Sequence, residues 1–279
     1  HTAPINSAIF SSNGTHIVTG SADKTLKVWN AQTGQERYTL KGHNGTVFTV
    51  AVSPNARLIA SASADATAKL WNLETGEEIR TFTLRNSSIY TVAFSPDSKR
   101  VVLGSDKTVA IWEVTEEAPL LTLQGNTSKV MVVAYAPNGK QIVTGGNDQV
   151  IRVWDSQTGW ELLQHKGHTG FITSLAISSR GDKMVSGSRD GSAKVWSTRA
   201  NTSPFQISGH TKGVKSVAIS PDGKRIGTGS WDKTVKIWDT STGSQATTLK
   251  GYNTATNSLR FSPDGTRLLL GGYDGTVEV

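Results

Sequence analysis

The chain has 279 residues with no cysteine, and its 29 Lys and Arg against 22 Asp and Glu give a formal charge of +7. Without cysteine there are no disulfides, no Cys-ligated zinc and no thiol nucleophile, and no apolar run approaches the roughly 20 residues of a membrane-crossing helix. The positive balance admits an acidic partner (nucleic acid, anionic membrane or acidic peptide) without requiring one. A start at His1 rather than Met suggests a processed chain, and the compartment expected is cytoplasm or nucleus.

From the N-terminus onward, Trp29, Trp71, Trp112, Trp154, Trp196 and Trp238 recur every 41 or 42 residues, each closing a strand-like run such as Leu26-Lys27-Val28-Trp29. Six residues before each stands an Asp: Asp23, Asp65, Asp106, Asp148, Asp190 and Asp232. A seventh, Asp274, lies where the chain stops short of a seventh Trp. The period therefore predicts seven units. The sixth unit shows the elements most plainly. A strand over 214–220 meets the turn Pro221-Asp222-Gly223, strands over 225–230 and 234–239 flank the corner Trp231-Asp232-Lys233, and a fourth strand covers 245–250. Each unit reads as a four-stranded antiparallel meander. Seven such sheets around an axis bury their faces against one another and leave only short outer edges, which predicts an all-β, seven-bladed β-propeller over residues 1–279 as one domain.

Three groups of residues carry a family resemblance: the pairs Gly42-His43, Gly167-His168 and Gly209-His210; the turns Ser220 to Gly223 and Ser262 to Gly265; and the pairs Trp29-Asn30, Trp71-Asn72, Trp154-Asp155 and Trp238-Asp239. With these the chain resembles the WD-repeat β-propellers over essentially its whole length. The last unit ends after its third strand. The resemblance implies that an upstream segment supplies the missing outer strand and locks the ring.

Four units carry an in-register set: His1, Thr19, Asp23, Trp29; His43, Ser61, Asp65, Trp71; His168, Ser186, Asp190, Trp196; and His210, Thr228, Asp232, Trp238. Ser or Thr, His and Asp together invite a hydrolase reading. Hydrolysis needs one activated nucleophile beside one oxyanion hole, not four equivalent sets around a ring. The expected role is a buried hydrogen-bond chain from Asp through His and hydroxyl to the indole N–H, and the resemblance implies the same chain. The third unit departs with Asn86 and Leu103, the fourth with Asn126, and the seventh with Tyr252 and Leu270. Since a lost buried hydrogen bond costs about 1 kcal/mol, the third and seventh units are expected to be held less firmly.

The resemblance also implies where partners meet the ring: on the end with the Gly-His loops, called the top here, at the residue before each Asp and at two positions on each innermost strand. Those positions hold Trp231, Arg189, Tyr273, Phe48, Tyr90, Lys129, Met131, Phe171 and Lys215, and no acidic residue. Aromatics and cations together suit an acidic or phosphorylated peptide or protein. At the bottom, Arg57, Lys99, Arg100, Lys140, Lys183, Lys224, Arg225 and Arg267 follow the turns, with Asp97, Asp182, Asp222 and Asp264 beside them. The acids partly cancel the field and no aromatics interleave, so a nucleic-acid site there is the less favoured reading. Trp160 is a secondary contact candidate on that side. His16 and His165 have no partner at metal spacing and are expected on the solvated surface, no helix offers a phosphate cradle, and the sequons at Asn13, Asn44, Asn86, Asn126 and Asn201 match what chance gives. No metal or cofactor is expected. The expected function is a non-enzymatic protein-interaction scaffold, the alternative a nucleic-acid or phosphate-binding module.

Overall fold

A computed structural model describes residues 1–84, 87–200, 203–250, 252 and 254–279. Asn86 and Asn201 lie outside the described residues. Seven antiparallel sheets form a ring; six have four strands in sequence order and the last has three. The sixth blade comprises Val214–Ile219, Arg225–Ser230, Val235–Asp239 and Gln245–Leu249, within one residue of the sequence expectation at each end. No helix occurs among the described residues.

The core lies between blades rather than within them. Val185, Ala193, Val195 and Ile207 of blade five pack on Val214, Val217, Ile226 and Trp238 of blade six, because each sheet is apolar on both faces and needs a neighbour on each side. Close approach has a local cause. A Cβ on Gly187 would lie 2.8 Å from Val214 and 2.9 Å from Val217, so the second strand of one blade can sit against the first of the next only with glycine there. The ring closes on polar contacts as well: Asn257 Nδ2 donates to the Ile5 carbonyl at 3.0 Å and Ser258 Oγ accepts from Ala8 N at 3.0 Å.

At the bottom each blade reverses in a tight turn. Ser220 Oγ bonds Asp222 and accepts from Arg225 N at 2.9 Å, while Gly223 takes the left-handed φ of +72° that the turn demands.

The innermost strands carry a feature the sequence did not announce. Their pairing with the second strand slips by one residue between Ile5 and Ser7, Val47 and Thr49, Val130 and Val132, Ile172 and Ser174, Val214 and Ser216, and Thr256 and Ser258. The unpaired residue in each bulge is Asn6, Phe48, Met131, Thr173, Lys215 or Asn257. A bulge bends its strand and re-aims one side chain, and here all six line the central channel.

Candidate partner-binding face

In four blades the corner, the second strand and the third strand bring four side chains together. His210 Nδ1 lies 2.8 Å from Asp232, its Nε2 2.7 Å from Thr228 Oγ1, and Trp238 Nε1 donates to the same hydroxyl at 2.8 Å. The corresponding His to carboxylate, His to hydroxyl and indole to hydroxyl distances are 2.7, 2.7 and 2.9 Å for His1, Asp23, Thr19 and Trp29. They are 2.8, 2.8 and 2.9 Å for His43, Asp65, Ser61 and Trp71, and 2.7, 2.6 and 2.8 Å for His168, Asp190, Ser186 and Trp196. The Asp also accepts from the loop and the corner: Thr211 N at 3.0 Å, Thr234 N at 2.9 Å and Thr234 Oγ1 at 2.6 Å all reach Asp232. Burial alone would raise these carboxyls, yet the donated bonds outweigh it and hold Asp65, Asp190 and Asp232 at about 2. Burial pushes His43, His168 and His210 below the usual imidazole range against the pull of their Asp partners. A neutral imidazole then donates from Nδ1 and accepts the hydroxyl proton at Nε2. The hydroxyl oxygen is spent on the indole N–H, and Thr19, Ser61, Ser186 and Thr228 are 0% exposed, leaving no approach for a substrate carbonyl.

Blade four solves the same problem differently. Asn126 replaces the His and accepts from Thr144 at 3.3 Å, and Trp154 donates to Thr144 at 2.9 Å. Asp148 is met instead by Arg152 Nη1 at 2.6 Å, with Arg152 also 3.2 Å from Glu161. Sequence reasoning missed Arg152; the signal available was that it occupies the position of Lys27, Lys69, Lys194 and Lys236 in a blade whose His position holds Asn126. In blade three, Asp106 is exposed and accepts from Ser87 Oγ at 2.5 Å and Tyr90 OH at 3.1 Å. This corrects the expectation of a rim free of acid: Leu103 offers no hydroxyl to anchor an inward chain, and Asp106 turns to the top face.

Two further expectations are corrected. His16 and His165 are buried, not solvated. His16 Nε2 lies 2.6 Å from Arg37 and Nδ1 2.8 Å from Thr15 Oγ1. His165 fills the apolar outer-strand position held elsewhere by Leu40, Phe82, Leu123, Ile207 and Leu249, packs on Trp196 at 5.3 Å between ring centroids, and leaves both nitrogens without a hydrogen bond of good geometry. Single-sequence periodicity hides this, since His at an alternate position reads as polar.

On the top face the candidate residues form two stacks. Phe48 and Tyr90 pack at 5.4 Å, with Lys129 Nζ 5.0 Å from the Tyr90 ring. Across the mouth, the exposed Arg189 guanidinium lies 5.3 Å from Phe171 and 5.0 Å from Trp231. Trp231 lies against Gly213, where a Cβ would sit 2.7 Å from the indole. Tyr273 stands apart at 57% exposed. Met131 and Lys215 line the channel below. At the bottom, Trp160 is 76% exposed, while Arg100 pairs with Glu113 at 2.7 Å, and Arg225 and Arg267 stack over Phe261 and Phe10. Three of the basic turn residues are thus engaged within the fold. No cluster of metal-ligating side chains occurs among the described residues.

Comparison with known proteins agrees with this architecture. The family described as WD domain, G-beta repeat matches seven times, at residues 1–30, 34–72, 76–113, 117–155, 159–197, 201–239 and 243–279. Among curated relatives, dynein assembly factor with WD repeat domains 1 of Danio rerio is 37% identical over 51 residues, 18% of this chain and 12% of its own length. Ribosome assembly protein 4 of Chaetomium thermophilum is 42% identical over 55 residues, 19% and 11%, and protein TOPLESS-related protein 2 of Oryza sativa subsp. japonica is 42% identical over 52 residues, 18% and 5%. The similarity therefore spans at most 12% of any of these relatives. With seven matched repeats on seven blades, the chain belongs to the WD-repeat family.

Proposed function

We propose that residues 1–279 act as one non-enzymatic domain, a scaffold whose top rim binds an acidic or phosphorylated segment of a protein partner. The observation carrying this reading is Arg189. Its guanidinium is exposed, sandwiched by Phe171 and Trp231, and has no acidic partner among the described residues. Stacking fixes the group without neutralising it, so its donors stay directed outward for a carboxylate or phosphate while the flanking rings take an apolar side chain. Assembly of large complexes, the task named for two of the relatives, is work for such a surface. The buried, indole-capped hydroxyls argue against hydrolysis.

The test is binding of an acidic and phosphorylated peptide array to the whole chain. Trp231→Ala and Arg189→Glu should each weaken the selected peptides at least tenfold with unchanged melting. Equal binding by wild type and both variants would move the partner site off this rim.

A further inference from the structure

The central channel encloses about 370 Å³, and among its described lining residues only Lys215 and Arg260 are charged. Both are cations. They come from adjacent innermost strands, Val214–Ile219 of blade six and Thr256–Phe261 of blade seven. Arg260 Nη1 donates to the Leu259 carbonyl at 2.7 Å and lies 3.5 Å from Ser216 Oγ, the neighbour of Lys215, so the guanidinium reaches the level of the bulge that carries the lysine. Among the described residues neither cation meets a carboxylate. Burial lowers the Lys215 ammonium, with Arg189 above it adding to the effect, and burial alone lowers Arg260.

The mouth is also divided. Phe48, Tyr90 and Met131 make one half apolar, and Thr173, Lys215 and Asn257 make the other polar. Blades two and four show that the bulge position accepts a plain apolar filler. A half-buried ammonium with no counter-ion is unfavourable by desolvation, with Arg189 adding repulsion, and the part-buried Arg260 carries a desolvation cost of its own, so an anion in the channel offsets a penalty at each cation.

We propose that the blade six and seven side of the channel is an oxyanion site, in which Lys215 and Arg260 hold a phosphate or carboxylate group. The group is carried by a free small anion or by the side chain of a bound peptide, and the test separates these sources. The free-anion form needs no partner, so it stands or falls apart from the rim reading.

Inorganic pyrophosphate and, separately, a short phosphoserine peptide are titrated calorimetrically into the whole chain at ionic strength fixed with chloride. A free-anion site gives one pyrophosphate per chain, a higher melting temperature than in chloride, and at least tenfold weaker binding for Lys215→Gln and for Arg260→Gln, with Lys215→Arg within threefold of wild type. Binding of the peptide alone, with the same dependence on Lys215, assigns the anion to a partner side chain. In chloride, Lys215→Gln should melt no lower than wild type, since it removes an unpaired buried charge. Binding of neither probe, glutamine variants that bind as wild type, or a Lys215→Gln chain that melts lower in chloride would each overturn the site.

Discussion

Blades six and four place a buried Asp at the same corner and satisfy it by different chemistry. In blade six the donor is the His210 imidazole, and Lys236 turns outward to Gln245 and Thr248. In blade four the Lys position is Arg152, whose longer planar fork reaches inward to Asp148 and Glu161 while Asn126 is left with one weak bond and an unpaired Nδ2. The requirement is therefore a donor for the corner carboxylate, and the His is one way to meet it. An ion pair is the costlier way, because a guanidinium loses more hydration than a neutral ring.

The sharpest way to break this comparison is Arg152→Leu. Asp148 then keeps only the long bonds from Thr127 and Val150, and losing its ion-pair partner should cost about 3 kcal/mol in urea denaturation, as for one partner of a buried pair. Lys236→Leu, which touches only surface groups, should cost under about 1 kcal/mol. Equal losses would mean that Arg152 is ornamental. A second substitution sharpens it: Asn126→His alone should lose about 1 kcal/mol because imidazole and guanidinium then compete for Asp148, whereas Asn126→His with Arg152→Lys rebuilds the blade six pattern and should return to within about 0.5 kcal/mol of wild type. Additive effects would show that the two positions do not communicate.

The remaining effect is carried by pH and His165. His43, His168, His210, His16 and His165 all have folded-state values lowered from 6.5, chiefly by burial. Their contribution is complete above the unfolded value and is lost as pH falls below about 6.5. Asp65, Asp190 and Asp232, lowered from 3.8 to about 2, add a second loss across that lower range. His165→Leu removes two unpaired buried nitrogens and should gain about 1 kcal/mol at pH 7 and more at pH 5, read from urea midpoints. A gain that is the same at both values would show that burial does not hold the folded His165 below its unfolded value.

The blade number, the strand bounds and the membership of the hydrogen-bonded sets were legible because period, turn residues and polar register all repeat. Trp231 was expected at the surface because a polar corner offers it no core, and it lies half-buried against Gly213. What stayed hidden depends on side-chain reach or on backbone slippage. Arg152 swings inward from a position where Lys swings out, Asp106 leaves its corner for the rim, His165 occupies a leucine site, and the bulges shift pairing by one residue without changing composition. None of these alters the forty-two-residue beat.

The bulges bear on how such a ring diversifies. Because Asn6, Phe48, Met131, Thr173, Lys215 and Asn257 each drop out of strand pairing while both neighbours remain anchored, the scaffold tolerates amide, aromatic, thioether, hydroxyl and ammonium at one address. Side-chain chemistry around the pore is thus decoupled from foldability, and it can be changed there one spoke at a time.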